Sequence, residues 1–243
     1  MNGAQIIRDD DPLAIEVTEL IRGGDVTRLR ALLTEHSHLA GAQIADVRCD
    51  DTRSLLHVAA DWPGHFPNGP EVVRTLVEAG SEVDARGGGK IGETPLHWAA
   101  SSDDVAVLDA LLDAGAAIDA PGAIIAGGPP LEDAVASGQW NAARRLAERG
   151  ATVAFREAAA LGLLDAVRAR SAEADQADIS MAFWYACHGG QPGTAELLHG
   201  QGAELDWIAP WDGSTPLDAA IRSEAGELVE WLRARGARAD SIR

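Results

Sequence analysis

Residues 94–120, TPLHWAASSDDVAVLDALLDAGAAIDA, hold the pattern from which the rest of the chain can be read. Thr94 stands where a helix cap is needed, and Pro95 suits the first helical position, where a missing N–H is no loss. Leu96 supplies the first core contact, and Ala99 and Ala100 are small enough to let a neighbouring helix approach closely. A longer apolar stripe follows and stops at Gly115, the residue type that enters the left-handed region freely at a helix C-terminus. The stretch predicts a short helix, a tight turn, a longer helix, a glycine cap and an extended loop.

The same pattern recurs along the chain. LVEAGSEVDA ends at Ala85, LLDAGAAIDA at Ala120 and LAERGATVAF at Phe155, so Gly80, Gly115 and Gly150 lie 35 residues apart. LHGQGAELD and LRARGARAD place Gly202 and Gly236 34 residues apart. The first-helix signature also returns, as LLHVAA at 55–60, PPLEDAV at 129–135 and TPLDAAI at 215–221. A period of this length is the mark of a repeat architecture in which each unit buries its apolar face against its neighbours.

These residues resemble the ankyrin repeat, whose hallmark is a Thr-Pro-Leu-His start, a paired alanine and a Gly-Ala step about 16 residues later. Ala99 to Gly115, Ala186 to Gly202 and Ala220 to Gly236 all have that internal spacing of 16. The resemblance covers roughly residues 12–243, is strongest at 94–120 and looks closest to bacterial ankyrin-repeat proteins. It implies an all-α, right-handed solenoid of about seven helix-turn-helix units with extended or hairpin inter-repeat loops, used for recognition. It does not identify a ligand, because fold is not function.

The expected organisation is an N-terminal tail, 1–11, followed by one ankyrin-repeat domain, 12–243. A capping unit occupies about 12–36, and unit two, 54–85, carries an insertion at 61–71, DWPGHFPNGPE, because Ala59 to Gly80 is 21 residues. Units three and four fill 94–153. Gly150 to Gly202 is 52 residues, too short for two full repeats, so an abbreviated unit five is placed at 156–171 and unit six at 181–206. The last unit, 215–243, caps the C-terminus with a charged outer face.

Composition narrows the function classes. The formal charge of −18 repels phosphate backbones, so no nucleic acid is expected as a partner. No apolar run approaches the roughly 18 residues that span a membrane. The start, MNGAQIIRDDDP, lacks the basic and apolar regions of a secretory signal. Two cysteines, Cys49 and Cys187, make no disulfide framework, and a cytoplasmic setting is expected. No nucleophile elbow, metalloprotease or Walker motif occurs, and no cofactor or metal is expected. GGGK at 87–90 lacks the following Ser or Thr of a phosphate loop. His57 and His97 take the Thr-Pro-Leu-His position, where the resemblance implies a structural histidine bridging its own helix cap and nearby backbone.

Tryptophan is the more informative residue: seven occur beside one tyrosine and three phenylalanines. Trp98 follows His97 in a first helix, near the inner side of such a stack, and Asp133 and Tyr185 hold the same position in later units. Three residues on, one helical turn away on the same face, stand Asp61, Ser101, Ala136 and His188. The insertion brings Trp62, His65, Phe66 and Asn68, and Trp211 lies near a hairpin tip. Such a face is more chemically mixed than stacking requires, although large residues can also pack under an insertion. The expected binding residues are therefore Trp62, His65, Phe66, Asn68, Trp98, Ser101, Asp133, Tyr185, His188 and Trp211. The leading expectation is a non-enzymatic protein that holds a protein partner on its concave face and loop tips. The alternative is a small-molecule pocket or enzyme between the 61–71 insertion and the inner helices, with Asp61, His65, Asp133 and His188 as acid–base groups.

Overall fold

The computed structural model describes residues 5–48, 51–87, 92–123 and 127–239. Cys49 and residues 88–90 of the GGGK stretch lie outside them. The chain divides into two compact units, Met1–Ala151 and Thr152–Arg243.

The first unit opens with strand β1 (Ile6–Arg8), helices α1 (Pro12–Gly23) and α2 (Val26–Glu35), and strands β2 (Gln43–Ala45) and β3 (Thr52–Ser54). Helices α3 (Leu55–Ala60), α4 (Gly69–Glu78), α5 (Pro95–Ser101), α6 (Val105–Asp113), α7 (Pro130–Ala136) and α8 (Trp140–Glu148) follow. Each odd-numbered helix packs on the next odd one, from α1 to α7, and α2, α4, α6 and α8 form a second layer in the same way. The core between the layers holds Leu55, Leu56, Val72, Val73, Leu76, Leu96, Leu108, Leu111, Leu131 and Leu146, all at 0% exposure. Ala59, Ala99 and Ala134 are buried where first helices meet, as small residues must be for backbones to come so close.

Within the segment expected as a tail, Ile6–Arg8 form β1. It runs parallel to β2, with Ile7 opposite Ile44, and β2 pairs antiparallel with β3, with Ile44 opposite Arg53. Ile7 and Ile44 point inward while their neighbours are less buried, the alternation of a strand with one covered face.

The second unit comprises α9 (Phe155–Ala160), α10 (Leu164–Ser171), α11 (Gln176–His188), α12 (Pro192–Gly200), α13 (Pro216–Arg222) and α14 (Gly226–Ala234). Here α11 packs on both α9 and α13, around Phe183, Val167, Leu198, Leu228 and Leu232. The shortened 52-residue interval is resolved by a brief link before α11, which starts at Gln176, earlier than the expected 181, because the Asp175 carboxylate caps it by accepting from the Asp178 N–H at 2.8 Å. Among the described residues the chain is thus helical, with fourteen α-helices and little strand. The repeat glycines behave alike: Gly80, Gly115, Gly150, Gly202 and Gly236 have φ between 87° and 104°, a region that a Cβ makes strained.

The first helices α3 and α5 begin in the same way. Ser54 N–H donates to His57 Nδ1 (3.2 Å), and Thr94 N–H donates to His97 Nδ1 (3.1 Å). Because Nδ1 accepts, the ring proton sits on Nε2, which donates to the Glu93 carbonyl (3.1 Å) from His57 and to the Gly128 carbonyl (3.2 Å) from His97. Each imidazole closes its own helix and grips the loop leading to the next hairpin.

Burial pushes both rings from the usual 6.5 to about 4. Below pH 6.5 the unfolded chain takes up protons that the folded chain refuses, so stability falls as pH drops from about 6.5 towards 4. Urea unfolding across this range is expected to show that fall. His97→Gln is expected to make it shallower and to lower stability at pH 8 by about 1–3 kcal/mol, the loss of a buried hydrogen-bonded group. A fall of unchanged steepness in the variant would remove the histidine from this account.

Candidate functional site

The face formed by α3, α5 and α7 carries a groove of about 340 Å³. Trp98 and Asp133 occupy matching positions on stacked helices and both line it, as does Ser101 one turn after Trp98. Asp61 and Trp62, at the end of α3, form another side. Glu93, Ser102 and Ser137 complete the lining.

The groove is held by a short chain of contacts. Trp98 Nε1 donates to Glu93 Oε2 at 3.0 Å, and its ring meets the His57 ring edge-on, 4.9 Å between centroids and 75° between planes. Ser101 Oγ donates to the Trp98 carbonyl and Ser102 Oγ to the Ala60 carbonyl, each at 3.2 Å. Asp133 is 5% exposed. Burial, with the neighbouring charges of Glu93 and then Glu132, raises its carboxyl to about 7. Asp61 is compensated differently, by Arg22 Nη2 at 2.5 Å.

The insertion is an ordered loop tied to both neighbouring hairpins. Asn68 Nδ2 donates to the Gly24 carbonyl at 3.0 Å, and the His65 backbone N–H donates to Asp104 Oδ2 at 2.5 Å. A Cβ on Gly24 would stand 2.1 Å from the Pro67 carbonyl oxygen, so the loop needs glycine there to come this close. The Phe66 ring lies 5.8 Å from the Arg22 guanidinium. Trp62, by contrast, is left 75% exposed.

In the second unit the expected residues gather into an aromatic cluster. His188 stacks on Trp184 (5.2 Å, 27°), and Trp211 meets Trp184 edge-on at 4.9 Å. Trp211 also lies 5.8 Å from both Tyr185 and Trp207. Trp184 Nε1 donates to Ser214 Oγ at 3.2 Å, and the Arg222 guanidinium lies 5.9 Å from the Trp184 ring centroid.

Of the residues singled out from sequence, Asp61, Trp62, Trp98, Ser101 and Asp133 are brought together in the groove. His65, Phe66 and Asn68 anchor the loop and do not line it. Tyr185, His188 and Trp211 belong to the second unit. The four acid–base candidates have separate surroundings: Asp61 faces Arg22, Asp133 faces Glu93, the His65 ring is 4.0 Å from Asp104, and His188 stacks on Trp184. His199 lies between Phe183 and Trp231, with centroids 6.1 and 5.5 Å away.

Sequence reasoning missed Glu93, Arg22, Asp104 and Trp184. Glu93 directly precedes the Thr94 cap, a position whose side chain can turn back over the first helix, so that adjacency was the available signal. Counting from Ala186 as the equivalent of Ala99, Trp184 falls on the histidine position, which explains its 4% exposure.

Residues 68–157 match the family model described as ankyrin repeats, three copies, so this segment carries ankyrin repeats. Among solved structures, the crystal structure of the human ASB11 ankyrin repeat domain is 26% identical, covering 76% of this chain and 85% of that chain at a TM-score of 0.45. No curated protein matches the sequence.

A carboxyl raised from 3.8 to about 7 keeps a proton in the folded state that the unfolded chain has released, so its contribution is lost as pH rises through about 7. This trend opposes that of the histidines. Asp133→Asn is expected to raise unfolding stability at pH 8 by roughly 1–3 kcal/mol, with the gain shrinking below about pH 7 and gone by about pH 4. Chemical denaturation at the two pH values checks this, and equal effects at both would contradict the buried-carboxyl assignment.

Proposed function

We propose that this chain is a binding protein whose repeats hold a protein partner on the face carrying Trp98 and on the loop tips carrying Trp62 and Trp211. Ankyrin repeats mediate protein–protein interaction, and the matched segment, 68–157, includes most of the groove-lining residues. The observation that carries the reading is Trp62. An indole 75% exposed on a loop held at Asp61 by Arg22 and further on at His65 and Asn68 is a preorganised apolar contact, the kind of side chain that dominates protein interfaces.

On this reading all seven helix pairs are ankyrin-type units of one recognition domain, 12–243, with the outermost pairs as caps. The shared glycine conformation at five of them supports it. The residues assigned to the interface are Trp62, His65, Phe66, Asn68, Trp98, Ser101 and Asp133 in the first unit, and Tyr185, His188 and Trp211 in the second. The −18 charge favours a partner with a basic surface over nucleic acid. Two cysteines, of which Cys187 is buried, fit a reducing cytoplasm.

Replacing Trp62 by a photo-cross-linking phenylalanine analogue in host cells is expected to give discrete adducts with a protein. The same analogue at exposed Glu78, on α4 in the other helix layer, should not. With the partner so identified, Trp62→Ala and Trp98→Ala should each weaken its binding about tenfold or more, as loss of a central aromatic anchor does. Adducts of equal yield at both positions would overturn the assignment of the face.

A further inference from the structure

We propose that the groove of the first unit is an arginine-reading subsite: a partner's guanidinium lies against the indoles of Trp62 and Trp98 and faces the carboxylates of Glu93 and Asp133. The inference rests on the protein-binding reading and names the chemistry of its contact.

The starting observation is an imbalance. Asp133 is 5% exposed and lines the groove, yet the charges that act on it, Glu93 and Glu132, are both negative. Among the described residues no side-chain or backbone donor is placed against its carboxyl. Buried carboxylates are ordinarily paired, because an isolated one loses its hydration without return. Beside the groove the same ingredients are satisfied from within: Arg22 pairs with Asp61 and lies 5.8 Å from the Phe66 ring. At Asp133 the acids and the aromatic rings are present and the arginine is the missing part.

The occupant follows from the lining. A cation is selected by two carboxylates in a chain of net charge −18. A guanidinium suits the site better than an ammonium, because it is planar, weakly hydrated and able to donate to two acids while stacking on an indole. The volume of about 340 Å³ accommodates such a side chain with its stem. Trp62, exposed on its anchored loop, is placed to cover the aliphatic part.

Asp133, held near 7, must lose its proton to serve this cation, so binding should strengthen as pH rises through that value. The other charged groups at the groove are Glu93, Glu132 and the Asp61–Arg22 pair. His57, which touches Trp98, is held at about 4 and stays neutral over the range to be tested.

The test is a titration of the ¹⁵N-labelled full chain with acetyl-Gly-Arg-Gly-amide, followed at the indole N–H signals assigned through Trp62→Phe and Trp98→Phe. At pH 8 both signals are expected to shift and saturate with a Kd on the order of 1 mM or tighter, and binding should weaken about tenfold at pH 6. The citrulline peptide should give no saturable shift, and folded Asp133→Asn should lose the response. Absence of saturation, an equal response to citrulline, or full binding by Asp133→Asn overturns the proposal, and a lysine peptide binding as tightly overturns the choice of guanidinium. If protein adducts at position 62 persist while the arginine peptide fails, this inference falls and the protein-binding reading stands. If both fail, the reading itself falls.

Discussion

The neutral imidazole that closes a first helix and reaches on to the following loop is the contact on which the first unit depends. His57 accepts from Ser54 through one nitrogen and donates to the Glu93 carbonyl through the other, and His97 joins Thr94 to Gly128 in the same way. Only a side chain with an acceptor and a donor on opposite sides of a rigid ring can do both at once. Where the position holds another residue, the solution changes. Asp218 closes its cap by accepting from Thr215 N–H at 3.0 Å, but its side chain has no ring nitrogen on the far side such as His57 and His97 use to reach the next loop. Trp184 fills the position with apolar surface and sends its N–H to Ser214.

The groove is built on that scaffold contact. By gripping the Glu93 carbonyl, His57 fixes the residue whose carboxylate accepts from Trp98, and its own ring supports the Trp98 indole. The structural histidine and the candidate site are therefore one assembly. Asp133 is the opposite kind of residue. It sits where stacking asks for nothing charged, next to another acid, and folding is weakened at high pH by its presence. A group kept under such strain is where function is sought first.

The insertion shows how a repeat scaffold makes room for a distinct surface. A longer link between helices would ordinarily move freely, yet Asn68 and His65 tie this one to Gly24 and Asp104 of the adjoining hairpins. Those anchors use the backbone of His65 and the amide of Asn68, and the Trp62 indole is left 75% exposed. The second unit does the reverse with its tryptophans, gathering them edge to face, with Trp184 buried and Trp211 at the rim.

The period of 34–35 residues, the Thr-Pro-Leu-His starts and the glycine stops placed the helix pairs in the sequence, because helix caps and repeat packing are local rules with local signatures. The same periodicity put Trp98, Ser101, Asp61 and Asp133 on one face. It could not show that Glu93 folds over Trp98, that Arg22 neutralises Asp61 from 39 residues away, or that His65 serves through its backbone. Nor could it show that residues 6–8 leave the tail to pair with a strand beginning at Gln43. Each of these contacts joins residues across a loop or between hairpins, and its strength depends on desolvation and distance, which exist only once the helices have stacked. Sequence set the elements and their faces; tertiary structure decided which charges were matched and which carboxyl was left waiting.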